Sequence, residues 1–525
     1  MSTPARTRWF RRLLGPVSAL VLAVAGAGAL WLAGCAANDP FDPDSVPNAR
    51  PVASMFATPV DSGGGLNPTS YYRRTFHWSG TDRDGWVTEY YVSVRTESDV
   101  PAPWDTTTRT DTTMSFVTDI AGEAEATFLL ACRDDRGALS DTVVQFFPLK
   151  NSPPAVNFQV DFEPLSNMQR QVTGGAVPDT VYWNFGICNF RLFAFDLDGA
   201  DTMDPFYRYT LADGDPELTW DQGDPAADPE LGWVRVPFAS PGDIKEFEIQ
   251  LMGVAPGART LTVSVTDEGF SDTRLLYSWE VREPAGPVLW VPDITPTAGR
   301  TFFREMLDAT LGAGRWDSYE FLYGFPDRAW VLLESMRLFD AVIWSDGGTT
   351  SPTLKTAAAR DGVLQQYVIP TGGQPAGRLM LVSRGITGNE TGLSPAFIQT
   401  VLKLSPSAEP ATPLRNFSGL QVLGDGSWLP PMACTSNFAQ AIGLKTLAGS
   451  QWVCRFEECC DRGCFGSTRP VVPCDPIVVA RWPLRATDPL ARVVSAGLQP
   501  EYFVRGEAIA TFGALLTVEM GVAAP

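Results

Sequence analysis

The sequence has a single histidine, His77, and fewer cationic than anionic side chains. Lys and Arg number 40 against 60 Asp and Glu, which gives a formal net charge of −20. Nucleic acids and anionic lipid surfaces are bound mainly through clusters of Lys and Arg. The charge balance therefore argues against a nucleic-acid partner, and imidazole chemistry is restricted to the surroundings of position 77.

Helical periodicity is missing before residue 298. That half of the chain contains short runs rich in Val, Tyr, Phe and Thr, separated by Asp-Gly and Pro turns. The pattern is typical of β-sandwiches. At 525 residues the chain is too long for one hydrophobic core, so several domains are expected.

The N-terminus has the features of an export signal. Four Arg precede residues 13–32, a stretch without charge, which ends in Leu32-Ala33-Gly34-Cys35. This ending resembles the lipobox of bacterial lipoprotein precursors, which implies cleavage before Cys35 and lipid attachment to its thiol. An uncleaved transmembrane anchor is the alternative, since about 20 apolar residues span a bilayer. Residues 1–34 are thus predicted to be a signal peptide and 35–50 a lipidated linker. Ala36 after the cysteine resembles an outer-membrane sorting signal.

Residues 51–284 carry an internal duplication. An Asp-x-Asp-Gly turn begins at Asp82 and again at Asp196, and residues 129–137 match residues 261–269 in the same order. The repeated pattern resembles bacterial fibronectin type III and other immunoglobulin-like modules. It predicts a first β-module at 51–150 and a second at 151–284, which as a family act as spacers or binding platforms.

The two turns raise the question of calcium, because Asp82 with Asp84 and Asp196 with Asp198 cluster carboxylates. A calcium site takes six to eight oxygen ligands, and the twelve-residue helical-loop pattern is missing. The other interpretation is turn chemistry, in which Asp bonds its own backbone and Gly supplies the positive φ.

From residue 285 strands alternate with helices, which predicts an α/β domain with a parallel sheet at 285–525. Strands are predicted at 288–291, 319–323, 341–344 and 378–382, and helices at 301–311, 327–339 and 354–367. Later strands are predicted at 477–482 and 501–504, followed by a packed helix or strand at 508–522. The stretch 339–348, followed by 364–368 and 372–382, is similar to the class I glutamine amidotransferase-like fold.

The domain departs from that family at its nucleophile elbow. The family has Gly-x-Cys-x-Gly and a downstream histidine, whereas this chain has Ser383-Arg384-Gly385 and no histidine after His77. A hydroxyl nucleophile needs an adjacent base, so no histidine-based triad can form here. We therefore predict no enzyme activity and no cofactor.

Ligands of open parallel sheets bind beyond the carboxyl ends of the strands. The predicted crevice there contains five side chains: Asp293, Ser345, Asp346, Ser383 and Arg384. It would suit a small polar ligand or a peptide end. Alternatively, Arg384 only pairs with Asp346 or Asp293.

Cysteines are concentrated in one insertion, residues 434–474. Six of them in an exported segment predict three disulfides in an unknown pairing: Cys434, Cys454, Cys459, Cys460, Cys464 and Cys474. Zinc is the rival, although adjacent Cys459-Cys460 breaks the spacing of zinc ribbons. Cys132 and Cys188 are predicted to be inert core thiols.

Together these observations predict an outer-membrane lipoprotein of the cell envelope with a binding or structural role. Its partners would be the lipid membrane and envelope proteins or polysaccharide. The alternatives are an envelope hydrolase that uses carboxylates and an assembly factor of a larger envelope machine.

Overall fold

The structure, a computed structural model, describes most of the chain from residue 47 to residue 523. The described ranges are 47–61, 69–96, 103–116, 123–172, 180–197, 203–211, 234–235, 244–267, 271–293, 295–347, 352–359, 362–387, 393–407, 421–435, 441–457 and 476–523. The signal segment and Cys35 lie outside them. The chain forms two compact units, of which the second contains both the second β-module and the α/β domain.

The first β-module is a sandwich of two sheets, with strand orders β1-β2-β5 and β4-β3-β6-β7. Alternate residues of its strands point inward, and Phe76, Trp78 and Phe128 are buried in its core. The strands are β1 (Val52–Asp61), β2 (Thr69–Thr81), β3 (Val87–Thr96), β4 (Asp105–Thr107), β5 (Asp111–Ser115), β6 (Glu123–Asp134) and β7 (Val143–Lys150).

The second β-module also has two sheets, ordered β13-β12-β15-β16-β10-β9 and β14-β11-β8. Its core is built around Phe190, Phe247 and Leu261. The strands are β8 (Ala155–Phe158), β9 (Gln169–Val172), β10 (Thr180–Asn184), β11 (Cys188–Phe195), β12 (Asp204–Leu211), β13 (Val234–Arg235), β14 (Lys245–Leu251), β15 (Gly257–Thr266) and β16 (Asp272–Val281). The prediction of two all-β modules is confirmed.

The α/β domain contains a nine-stranded sheet in the order β18-β17-β19-β20-β25-β24-β23-β21-β22. The strands are β17 (Val288–Asp293), β18 (Asp317–Ser318), β19 (Ala341–Asp346), β20 (Arg378–Val382), β21 (Gln421–Gly424), β22 (Met432–Ala433), β23 (Gln451–Phe456), β24 (Ile477–Trp482) and β25 (Val493–Ala496). The first five in spatial order are parallel, and the other four pair antiparallel. The predicted parallel sheet thus describes only the first five strands, because β24 leads into β25 through a short connection that only antiparallel strands allow.

Helices cover this sheet. They are α1 (Thr297–Leu311), α2 (Ala329–Arg337), α3 (Pro352–Ala359), α4 (Val363–Val368), α5 (Pro395–Phe397) and α6 (Arg505–Ala514). The predicted helix 354–367 is two helices, and Gly362 before the second is left-handed at φ 61°. The tail is helical, and Glu519 beyond α6 forms a buried ion pair with Arg481 at 2.7 Å.

The predicted strand 319–323 is also wrong. Pairing with β17 is limited to Asp317–Ser318 of β18, and the aromatic run that follows packs inward instead. Phe321, for example, lies 5.6 Å from the Trp344 ring. A run rich in aromatic residues has the composition of a strand. Here its side chains pack into the core, although its backbone does not pair with β17.

The second β-module and the α/β domain share hydrophobic packing. Trp183 and Phe185, at the end of β10 and just after it, belong to the core cluster of the α/β domain. The ring centroid of Phe185 lies 5.2 Å from that of Phe339. A module that inserts two aromatic side chains into its neighbour's core is a fused part of that unit, not a freely hinged spacer.

Candidate functional site

The predicted crevice residues lie at the carboxyl ends of adjacent strands. Asp293 of β17 and Asp346 of β19 are register partners, and Val382 of β20 pairs with Ser345. Ser383 follows directly after β20. The structure therefore brings the backbones of these positions together, as neighbouring parallel strands are only about 4.8 Å apart.

Their side chains, however, are buried. Asp293 and Asp346 are 4% and 5% exposed, and Ser345 and Ser383 are each 1% exposed. Arg384 is half-buried. We use the name closed crevice for these five residues, since four of them offer almost no surface to a ligand.

Internal hydrogen bonds account for the closure. The Trp344 indole donates to Asp293 Oδ2 at 3.2 Å, and the Trp290 indole donates to Ser345 Oγ at 2.9 Å. Thr295 Oγ1 donates to the Ser345 carbonyl at 2.7 Å. Asp293 and Ser345, two of the groups that the sequence suggested for a ligand, are thus bonded by side chains of the same domain.

Ser383 is buried directly after β20. Its Oγ accepts a hydrogen bond from the Gly385 N–H at 3.2 Å, and the chain contains no histidine besides His77. Asp293 and Asp346 are backbone partners on adjacent strands, and two carboxylates are the minimum that paired general acid and base catalysis needs.

Within the Asp-x-Asp turn of the first β-module, protein groups bind the second aspartate, Asp84. Asp84 accepts a hydrogen bond from the Ala49 N–H at 3.2 Å and pairs with Arg136 at 3.3 Å. Both Asp82 carboxylate oxygens are shielded and have no described hydrogen-bond partner.

In the corresponding turn of the second β-module, Asp196 is buried, and Asp198 lies outside the described residues. In the described part of the chain, no group of three or more His, Cys, Asp or Glu is arranged for a metal ion.

Two of the six cysteines predicted to form disulfides lie within the described residues. Cys434 and Cys454 are buried in the core of the α/β domain, and Cys434 Sγ donates to the Tyr502 carbonyl at 3.5 Å. The assignment of Cys454 to a disulfide is corrected, because β23 places its free thiol in the core of the domain. The assignment of Cys434 stays a prediction. Cys459, Cys460, Cys464 and Cys474 lie outside the described residues. Cys132 and Cys188 are buried and free as well.

Ion pairs that the sequence did not reveal join the second β-module to the α/β domain. Arg328, before α2, donates to both carboxylate oxygens of Glu248, at 2.6 and 3.0 Å. Arg191 pairs with Asp327 at 3.3 Å. Although burial raises the pKa of Glu248, hydrogen bonds from Arg328 and Asn189 lower it below its ordinary value overall. Nothing in the local sequence signals these pairs, because their partners are 80 and 136 residues apart.

A cavity of about 400 Å³ lies in the first β-module, at a place that sequence reasoning missed. Its lining includes Trp78, Met114 and Phe128 from the core, and Asp105 and Arg109 near the surface. It lies between β4 and β5, which are the end strands of the two opposing sheets. The volume is within the range of small-molecule and peptide side-chain pockets.

None of the described helices is long and apolar enough to cross a membrane, and residues 13–32 lie outside the described part.

Comparisons with known proteins give only distant similarities. No family model matches the chain. No curated protein matches it either. One similar solved structure is the PKD1 domain of Vibrio anguillarum Epp, at 17% identity, 20% of this chain, 96% of that chain and a TM-score of 0.14. The fibronectin(III)-like modules of Clostridium thermocellum CbhA match at 14% identity, 43% of this chain, 94% of that chain and a TM-score of 0.16. A two-domain fibronectin type III segment of chicken tenascin matches at 10% identity, 44% and 100%, with a TM-score of 0.16. At these scores the similarities carry no conclusion about function, and the β-sandwich class rests on the strand pairing described above.

Proposed function

We propose that this chain is a membrane-anchored protein of the cell envelope with a binding or structural role and no catalytic activity. The lipobox-like Leu32-Ala33-Gly34-Cys35 supports the anchor, and Ala36 supports the outer membrane as its location. Envelope proteins or polysaccharide are the proposed partners besides lipid.

The observation that carries the non-catalytic role is the closed crevice. Ser383 occupies the elbow position after β20, but it is 1% exposed and its Oγ is engaged by Gly385. The five parallel strands support a class I amidotransferase-like architecture that has lost its nucleophile and base. The packing of Phe185 against Phe339 supports a rigid base formed by the second β-module and the α/β domain.

The experiment assays the purified full chain and its Ser383→Ala variant for turnover of peptidoglycan fragments and of small amide and ester substrates. We expect no turnover above the buffer blank in either protein. Robust hydrolysis that disappears in Ser383→Ala would overturn the non-catalytic proposal.

A second candidate, a carboxylate-based hydrolase, is favoured by one observation, the register pairing of Asp293 with Asp346. The same assay therefore includes Asp346→Asn, with Asp340→Asn at an exposed position of the same domain as a matched control. Activity that is lost only in Asp346→Asn would establish this candidate instead.

A further inference from the structure

The cavity of the first β-module opens between the end strands of its two described sheets. β5 is the last strand of one sheet and β4 the last of the other, so within the described residues each has a strand neighbour on one side only. Residues 108–110 connect them, and the Trp78 indole holds this connection by donating to the Arg109 carbonyl at 2.8 Å. This hydrogen bond thus positions the backbone at the opening of the cavity.

The floor of the cavity is apolar. Trp78 and Phe128 are 4% and 1% exposed, and their ring centroids lie 5.9 Å apart. Met114 of β5 is only half-buried, although it lies on the inner face of its strand. A flexible thioether beside two aromatic rings can adapt to an incoming apolar group.

The rim carries both signs of charge. Asp105, Arg109 and Asp111 line the opening, and all three are exposed. No described residue forms an ion pair with any of them. Such a rim matches a partner that presents charges of both signs around one apolar group.

The edge strand β5 lines the cavity with alternate residues, Thr112 and Met114. The inner strand β3 lines it with three consecutive residues, Val92, Ser93 and Val94. An added peptide strand has the same period of two as β5, so that one side chain enters the cavity while its neighbours point away.

From these observations we infer that the cavity is a binding site for an extended peptide segment of a partner protein, which adds to the β5 edge and inserts one apolar side chain between Trp78, Met114 and Phe128. This inference rests on the proposed binding function and gives that function its ligand class. Main-chain hydrogen bonds to the edge supply affinity, and the cavity selects the apolar side chain. Arg109 and the two aspartates select alternating charges on either side of it.

The test uses a synthetic heptapeptide of alternating apolar and charged residues, with photoreactive leucine at its centre, and the full purified chain. After irradiation, mass spectrometry should place the cross-link at Met114, Trp78 or Phe128. A second peptide keeps the central leucine but has proline at the flanking charged positions, which removes main-chain donors. We expect its labelling to fall at least tenfold.

Variants of the chain give the matched comparison. Met114→Trp fills the cavity and should reduce labelling at least tenfold, whereas Met252→Trp, at an exposed position of the second β-module, should not. Arg109→Glu changes only the exposed rim and should reduce labelling several-fold, with Arg83→Glu as its control. The Arg109→Glu variant also tests the inference if Met114→Trp fails to fold.

Cross-links outside the cavity, or equal labelling in Arg109→Glu and Arg83→Glu, would overturn the inference. If the proline peptide labels the chain as strongly as the first peptide, main-chain hydrogen bonds to β5 do not contribute to binding. Strand addition would then be overturned in favour of simple binding of an apolar group. None of these results affects the hydrolysis assay or lipid attachment, so failure here is distinguishable from failure of the proposed function.

Discussion

The side-chain amide of Asn151 donates a hydrogen bond to Asp267 Oδ2 at 2.8 Å. In the first β-module, Asn48 donates the same bond to Asp134 at 2.9 Å. Each asparagine precedes the first strand of its module, and each aspartate begins the turn of the last hairpin. Both aspartates also accept a main-chain N–H four residues further on, from Ala138 and Ser271. The duplication therefore extends to individual hydrogen bonds.

The aspartates that are equivalent by their hydrogen bonds are shifted by one residue from those that the sequence match aligns. Aligning 129–137 with 261–269 places Asp135 opposite Asp267, whereas the hydrogen bonds make Asp134 its equivalent. The sequence match aligns the two Asp-x-Gly segments, 135–137 and 267–269. The long-range hydrogen bonds instead show which carboxylate binds the asparagine that precedes each module.

The Asn151→Ala substitution should destabilise the second compact unit by about 1–3 kcal/mol, because Asp267, only 6% exposed, loses a partner. Urea unfolding of the full chain measures the effect. Asn157→Ala, at an exposed position of β8, is the control and should change stability by less than about 0.5 kcal/mol. Equal effects of the two changes would contradict the role assigned to the bond.

The sequence predicted the elements whose signal is local. Val288 to Val291 read as a buried strand because all four are apolar, and β17 is buried throughout. The closure of the crevice was not predictable. Its hydrogen-bond donors, Trp290 and Trp344, lie on the strands β17 and β19 themselves, and their sequence pattern indicates only buried strand residues. Cys454 was misread because the spacing of cysteines carries no information on burial.

Phe185→Ala should separate the second β-module from the α/β domain. Removal of a buried phenylalanine costs about 3–5 kcal/mol, and here the loss falls on the shared packing. Calorimetry should show the single transition of the second compact unit splitting into two. Phe146→Ala, which alters a 54% exposed side chain, should leave the profile unchanged. A shift in midpoint without splitting would contradict the idea that Phe185 couples the two parts.

The Glu248 carboxylate should make this interface sensitive to acid. Its pKa in the folded chain is lowered, against the effect of burial, by hydrogen bonds from Arg328 and Asn189. A carboxylate of this kind stabilises the fold above its unfolded pKa, roughly 4.3, and the contribution is lost as pH falls through the lower folded value.

Glu248→Gln should therefore be less stable than the parent at pH 7, with the difference shrinking toward pH 3. Glu246→Gln, at the exposed position two residues earlier, controls for the removal of a charge. A difference between Glu248→Gln and the parent that stays constant from pH 7 to pH 3 would contradict the assigned role.

The core thiols should be unreactive in the native chain and free when it unfolds. Burial raises the pKa of Cys188 to about 12, and burial also raises the pKa of Cys454. Without reductant, iodoacetamide should leave Cys188, Cys434 and Cys454 unmodified in native buffer and modify all three in denaturant. Mass spectrometry resolves each site.

Protection of Cys434 or Cys454 in denaturant, released only by reductant, would restore the three-disulfide interpretation. Modification of both in denaturant without reductant would leave four cysteines in the insertion, which can form at most two disulfides. That number stays a prediction.

The proposed function depends most directly on the lipid anchor at Cys35. The measurement is metabolic labelling of cells with a fatty-acid analogue, comparing the natural chain with Cys35→Ser and using Cys132→Ser as the control. We expect a labelled, processed chain for the natural sequence and for Cys132→Ser, and an unlabelled, unprocessed precursor for Cys35→Ser. Cleavage of the Cys35→Ser chain at the same site, or undiminished labelling of it, would contradict the proposed function.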